Sequence, residues 1–467
     1  MSGRNTRGGQ GPGGYGESLV GSRAGVVTQQ RDVPQVLAGP RRSGGASASA
    51  REVLCGLLGL AAVVGATSQI TCAQPECVVP DYTDPECRVI AENELGRLDA
   101  AVGAELRFLD PSGRSSLDWE ALGLLQEPVS GAIQARVATL GDFAIGIRGD
   151  QGKALALDLE LSNVDPNTVL SLGPPGAGVE LPGSTDSVLR RRLNVEVGAG
   201  QELELRGRLP CPERFQLVFV GDIQTNPLHF ERIIERLRED VAASKEQGDP
   251  ILGLVLVGDL TEASSDDEFT KMLTIVAGAP VPVAVTPGNH DIVRAHVPIY
   301  NSTFGPGSYA FEVCGARVAL IDSGTARLAR SIEGRLPELF ARDGADFLIA
   351  ATHYPLYAGL SGDGWSREDQ PQIVLGELAI AEADLIVTGH MHALRDDPEV
   401  HVGSQELRQI IVGTGGADQG LGVARFGYVR IGLVVGEEPR ACFVEVPPPG
   451  WAGPPNHALP TLPYCDD

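Results

Sequence analysis

The chain has 467 residues, long enough for two or three domains, and its 42% apolar fraction suits a soluble protein with a sizeable core. Its 61 acidic against 37 basic residues leave a formal charge of −24. A surface this acidic repels polyphosphate backbones, which argues against extended nucleic acid as a general partner and leaves small phosphate esters at a locally positive pocket.

The first fifty residues are rich in Gly, Ser and Arg without periodicity and read as a disordered leader. Val53–Ala66 then runs uncharged and apolar behind Arg41, Arg42 and Arg51. It is shorter than the ~20 residues a bilayer span needs. A positive flank, a short apolar stretch and small residues after it describe an export signal, cleaved after Ala66 or Ala73. The competing reading is a buried core helix, which lacks amphipathic flanks here. The expectation for 1–73 is therefore a leader plus signal, with an exported chain (periplasmic, cell-surface or extracellular) and no transmembrane span in its mature form. Of the eight cysteines, cleavage after Ala73 leaves an even number, as a disulfide framework requires. Cys77 and Cys87 bracket a Pro- and Asp-containing loop in a Cys-rich connector, 74–90, and are the first expected pair.

Residues 91–210 carry short alternating segments and read as a small β-rich accessory domain. Ala132–Leu140, Phe143–Ile147 and Ala154–Leu161 are expected strands, with a turn at Gly149-Asp150. Leu193–Val197 and Leu203–Leu209 flank Gly198-Ala199-Gly200, which predicts a hairpin. Such a domain suits substrate shielding, surface attachment or a spacer role.

The texture changes at Phe215, where a domain over 211–446 is expected. Phe215–Val220 is continuously apolar, as in a strand buried on both faces, and ends in Gly221-Asp222. Phe230–Ala242 has the helical period. Ile251–Val257 ends in Gly258-Asp259, and Val281–Val285 runs into Thr286-Pro-Gly-Asn289-His290-Asp291. Phe347–Ala351 leads to His353, and Leu385–Val387 to His390 and His392. Five times a buried strand delivers a polar, ligand-type residue at its C-terminal end, where open α/β sheets place their sites. A lone Gly-Asp is usually a helix cap, but four of only eight histidines fall in this ordered set. The tail, 447–467, is Pro-rich and reads as surface chain pinned by Cys465.

The order Asp222, Asp259, Asn289-His290, His353, His390-x-His392 resembles the calcineurin-like metallophosphoesterase superfamily over residues 215–445. The resemblance implies an α/β fold, a four-layer α/β/β/α sandwich preceded here by the β-rich domain, with two metal ions at the strand ends. It implies that Asp222 and His392 bind one metal, that Asp259 bridges both, and that Asn289, His353 and His390 bind the other. His290 would stay unligated and catalytic. The residue types suit that chemistry. Two divalent ions ~3.5–4 Å apart clamp a phosphoryl group and lower the pKa of water. Imidazoles favour transition metals. His290 can protonate a leaving oxygen. Asp291 is expected either to orient His290 or to cap.

One position departs from the family's commonest pattern. Gln224 stands where many members have His, which favours Mn or Fe and leaves Zn open. Asp222-Ile223-Gln224 resembles the Mn-dependent ADP-ribose and CDP-alcohol diphosphatases, and Glu262 replaces the metal-binding Tyr of purple acid phosphatases. Substrate contacts are expected from Arg294, shortly after the Asn289-His290-Asp291 turn, and from Tyr357, Trp365 and Arg367 in the loop after His353. His296 is a candidate support residue, whereas His229, His401 and His457 read as surface or helix-side residues. The function expected is metal-dependent hydrolysis of a small phosphate monoester or nucleotide-like diester. The alternative is a non-catalytic surface binding protein on the same scaffold.

Overall fold

The apolar runs beyond Arg214 become the strands of two sheets. The structure, a computed structural model, describes residues 84–115, 120–129, 131–182, 187–292, 299–357, 364–417, 425–450 and 462–465. The segment read as an export signal, Cys77, Arg294, His296 and His457 lie outside the described residues.

Before Arg214 the described residues form helix α1 (Pro85–Leu95) and ten short strands. These are β1 (Arg97–Asp99), β2 (Glu105–Leu109), β3 (Gly123–Gln126), β4 (Ile133–Val137), β5 (Phe143–Arg148), β6 (Leu155–Ser162), β7 (Val169–Gly173), β8 (Val179–Glu180), β9 (Arg190–Val197) and β10 (Glu202–Arg208). They make a six-stranded sheet ordered β1-β2-β5-β10-β7-β8 and a four-stranded sheet ordered β3-β4-β6-β9. The hairpin expected at Gly198–Gly200 is not formed. β9 pairs with β6, and β10 with β5 and β7. Alternation reports which side chains point inward, but it is the same for two strands of one sheet and for two strands on facing sheets. The chain changes sheet at Gly149 and again at Gly198, side by side: a Cβ on Gly149 would stand 2.6 Å from the Gly198 carbonyl oxygen. Helix α1 was also not expected. Asp84 caps it through the Glu86 N–H (3.0 Å), and Pro85 occupies its first turn.

After Arg214 follow β11 (Arg214–Val220), α2 (Pro227–Glu246), β12 (Ile251–Val257), α3 (Asp266–Ala277), β13 (Val283–Thr286), α4 (Ile299–Phe304), β14 (Tyr309–Val313), β15 (Ala316–Ile321), α5 (Arg330–Leu339), β16 (Phe347–Thr352), α6 (Gln370–Ile380), β17 (Leu385–Thr388), β18 (Leu394–Val402), β19 (Gln405–Val412), β20 (Gly427–Val434) and β21 (Arg440–Glu445). One sheet is ordered β13-β12-β11-β20-β21 and the other β14-β15-β16-β17-β19-β18. Each central strand buries both faces. In β11, Leu217 and Phe219 face the other sheet, with Ile349 of β16 and Val387 of β17. Val218 and Val220 face the opposite way, onto Ile233 and Leu237 of α2. In β16, Leu348 and Ala350 face Leu336 of α5 and Leu378 of α6. Two sheets with helices outside each make the α/β/β/α sandwich. Its inter-sheet core continues without interruption into the core of the β-rich region, through residues such as Phe108, Leu140 and Leu205.

Two disulfides, Cys211–Cys314 and Cys442–Cys465, close loops of very different length, and the second ties Cys465 alongside β21, where Phe443 bridges Tyr464. Cys87 is disulfide-bonded as well. No helix among the described residues is long and apolar enough to cross a membrane.

Candidate metal centre

Five strands of two sheets end at one place. Asp222 follows β11, Asp259 follows β12, and Asn289-His290 follow β13; His353 follows β16, and His390 and His392 follow β17. Four of these residues leave their strands in the left-handed region: Asp222 (φ 58°), Asp259 (54°), His390 (69°) and His392 (44°). Non-glycine residues adopt it at a cost, and they cluster where a side chain must be aimed against local preference. Neighbouring glycines let the carboxylates in. A Cβ on Gly288 would lie 2.2 Å from Asp259 Oδ1, and one on Gly413 would lie 2.6 Å from Asp222 Oδ2.

Ligand-type atoms converge in two sets, Asp222–Asp259–His392 and Asp259–His353–His390, each within 4.8 Å internally. Asp259 belongs to both. His353 Nε2 stands 3.2 Å from Asp259 Oδ2, and His392 Nε2 stands 3.7 Å from Asp222 Oδ1. Asn289 Oδ1 lies 3.2 Å from His353 Nε2 and 3.1 Å from His390 Nδ1. The Gln224 carboxamide lies against His392, 3.2 Å from its Nε2. The His353 Nδ1–H donates to the Val257 carbonyl (2.9 Å), which turns Nε2 toward the site.

These residues fit a divalent cation. Asp222 Oδ2 and Gln224 Oε1 are buried and accept no hydrogen bond from the described residues. A buried carboxylate oxygen without a donor is expensive unless a positive charge meets it. Burial, reinforced by the charge on Asp259, pushes Asp222 up to about 6. Burial works against the Asp259 charge too, but His353, which also hydrogen-bonds it, holds that carboxyl below the usual range. His353 resists protonation through burial, yet Asp259 and Asp222 push it up to about 9. The pocket's own charges call for a cation.

The calcineurin-like phosphoesterase family model matches residues 215–394. Residues 215–394 are a calcineurin-like phosphoesterase domain. Beyond that segment β18–β21 complete its two sheets. No curated protein matches the sequence. Similar solved structures include GAP50, the anchor in the inner membrane complex of Plasmodium, with 15% identity, covering 50% of this chain and 85% of that one (TM-score 0.36). PhoD is another, with 12% identity over 72% of this chain and 88% of its own (TM-score 0.41). A dimetal phosphatase from Danio rerio shares 11% identity over 50% of this chain and 96% of its own (TM-score 0.34).

Around the phosphoesterase domain's ligand cluster, several residues have roles that no motif announced. His290 is held from both sides. Its Nδ1 lies 2.8 Å from the Glu262 carbonyl oxygen, and its own carbonyl accepts from the hydroxyls of Ser264 (2.6 Å) and Thr261 (3.3 Å). Tyr354 stacks on His390, centroids 4.0 Å apart at 29°. Asp291 does not touch the His290 ring; its carboxylate accepts from the backbone of Leu260, Thr261 and Gly288. Trp365, expected at the substrate, is packed in the apolar cluster beneath the second sheet and donates to the Pro355 carbonyl (2.9 Å). Arg367 is taken up by Asp369 and Glu333. Tyr357 remains 43% exposed, its backbone pinned by the buried Gln409 carboxamide. His229 lies in α2 but is buried, edge-on to Phe426 at 5.2 Å.

Proposed function

We propose that the chain hydrolyses a small phosphate ester, a monoester or nucleotide-like diester, at a two-metal centre held by Asp222, Gln224, Asp259, Asn289, His353, His390 and His392. The observation that carries this reading is the pair of ligand sets sharing Asp259, with Asp222 Oδ2 and Gln224 Oε1 buried beside them and accepting no hydrogen bond from the described residues. Bound there, two divalent ions would neutralise the phosphoryl oxygens and lower the pKa of water. Mn or Fe suits the mixed oxygen and imidazole donors best, with Zn as the alternative. His290 is the group left to handle the leaving oxygen. Glu262 takes the Nδ1–H, so Nε2 is the atom free to carry a proton to it. Its side chain is 31% exposed, as a group that meets substrate must be. The disulfides support a chain matured in an oxidising compartment and thus exported. Of the two aromatic residues expected at the substrate, Tyr357 is exposed and Trp365 is buried.

The test is cleavage of nitrophenyl phosphate and of its bis-ester by the full chain with and without chelator. Activity lost on chelation and restored by Mn²⁺ is expected. His290→Ala is expected to lower turnover by about 10²-fold or more with metal content unchanged. Metal-loaded protein that cleaves neither ester nor any nucleotide or headgroup ester would leave the surface-binding reading in its place.

A further inference from the structure

The strand that delivers Asn289 and His290 has an open edge. β13 is four residues long and outermost in its sheet, paired among the described residues only with β12, Leu254 opposite Val283 and Val257 opposite Thr286. In a strand, alternate residues direct both N–H and C=O to the same side. The outward pair here is Val283 and Val285. Edge groups normally go to water or to another strand. Here all four go to side chains. The Val283 N–H donates to Asn163 Oδ1 (2.7 Å), and the Val283 carbonyl accepts from Asn163 Nδ2 (3.0 Å) and from Arg136 Nη2 (3.1 Å). The Val285 N–H donates to the Tyr309 hydroxyl (3.1 Å), and the Val285 carbonyl accepts from the Tyr300 hydroxyl (3.0 Å).

Asn163 and Arg136 belong to the β-rich region. Asn163 directly follows β6, at φ 64°, a conformation Asn tolerates better than most residues. Its Nδ2 also donates to the Val137 carbonyl of β4 (2.7 Å), so the carboxamide is fixed at both ends. A carboxamide carries an acceptor and a donor side by side, as a strand residue does. Asn163 thus completes the ladder that β13 lacks. From Val285 only Thr286, Pro287 and Gly288 separate the pinned strand from Asn289.

We propose that Asn163 is a positioning residue of the metal centre: by standing in for a neighbouring strand along β13, it fixes where Asn289 and His290 are presented. The β-rich region is then part of the catalytic apparatus rather than a spacer or an attachment module. The inference rests on the metal-centre reading above.

The experiment compares the full-length parent chain with Asn163→Gly, which keeps the positive φ and removes the carboxamide. Leu106→Ala serves as the control, since it opens a cavity in the same β-rich core far along the chain from β13. Amide hydrogen exchange at Val283 and Val285 is read without metal, and Mn²⁺ and Zn²⁺ affinities are read by titration. Faster exchange at Val283 and a metal affinity about tenfold weaker are expected for N163G. L106A is expected to lower the melting temperature at least as much with affinity unchanged. Should N163G not fold, Asn163→Asp, which keeps size and φ tolerance and loses both donors, takes its place. Equal affinity in parent and N163G, unchanged Val283 exchange, or affinity that falls in L106A in step with melting temperature would each overturn the assignment. A parent chain that binds neither metal would sink the metal-centre reading and this one with it.

Discussion

Asp291 Oδ1 accepts both the backbone N–H (3.0 Å) and the hydroxyl (3.1 Å) of Thr261. The same oxygen takes the Leu260 N–H (2.9 Å), and Oδ2 takes the Gly288 N–H (2.9 Å). One carboxylate therefore staples the loop after Asp259 to the loop that carries Asn289 and His290. Its closeness in sequence to His290 suggests a partner for the imidazole, but the ring turns the other way, to the Glu262 carbonyl.

That staple predicts the cost of losing Asp291. It is 2% exposed, so Asp291→Ala leaves buried donors on Leu260, Thr261 and Gly288 without partners. Each such donor costs about 1–3 kcal/mol, so a loss of about 3 kcal/mol or more is expected in urea unfolding. Asp291→Asn, which still accepts at one oxygen, should lose less. A change in Asp291→Ala below ~1 kcal/mol would mean that water replaces the carboxylate without penalty.

Sharing of Asp259 between the two ligand sets predicts unequal effects on metal content. His392 lies in one set only, so His392→Ala leaves Asp259, His353, His390 and Asn289 in place. On the two-metal proposal, about one metal per chain should remain after dialysis against Mn²⁺ and elemental analysis, against two expected for the parent. Asp259→Asn weakens both sets at once and should retain less metal than His392→Ala. Equal losses in the two variants would show that the carboxylate is not shared.

The centre was readable where strand ends carry ligand-type residues, and unreadable where contacts come from distant chain. The runs ending at Asp222, Asp259 and His353 are apolar on both faces because helices cover one side and the second sheet the other. That signal is local. The support of His290 by Ser264, and of β13 by Asn163, joins residues 26 and 120 positions apart, and nothing in the spacing marks it. Trp365 misled because an aromatic in a Gly-bearing loop reads the same whether it meets substrate or, as here, packs under the sheet. The hairpin expected at Gly198 failed for a related reason, since β9 and β10 alternate alike but serve facing sheets.

Glu92 of α1 supplies a pH dependence outside the metal centre. It is 3% exposed and accepts from Asn301 Nδ2 (2.8 Å), beside the buried Arg88–Asp322 pair (2.7 Å). Burial, then the charge on Asp322, pushes its carboxyl up to about 8, against the opposing pull of Arg88 and the bonds from Asn301 and Gly307. Between the ordinary value of 4.5 and about 8 the native state keeps a proton that the unfolded chain has released. Where the native state binds more protons, stability falls as pH rises. The Glu92 contribution is thus fully present below about pH 4.5 and lost as pH climbs through about 8. Glu92→Gln keeps an acceptor for Asn301 and cannot ionise. Its melting temperature should match the parent's near the acid end of that window and exceed it near the alkaline end, with a shallower slope between. Parallel melting curves for parent and Glu92→Gln across the window would show that Arg88 already neutralises Glu92 in the folded state.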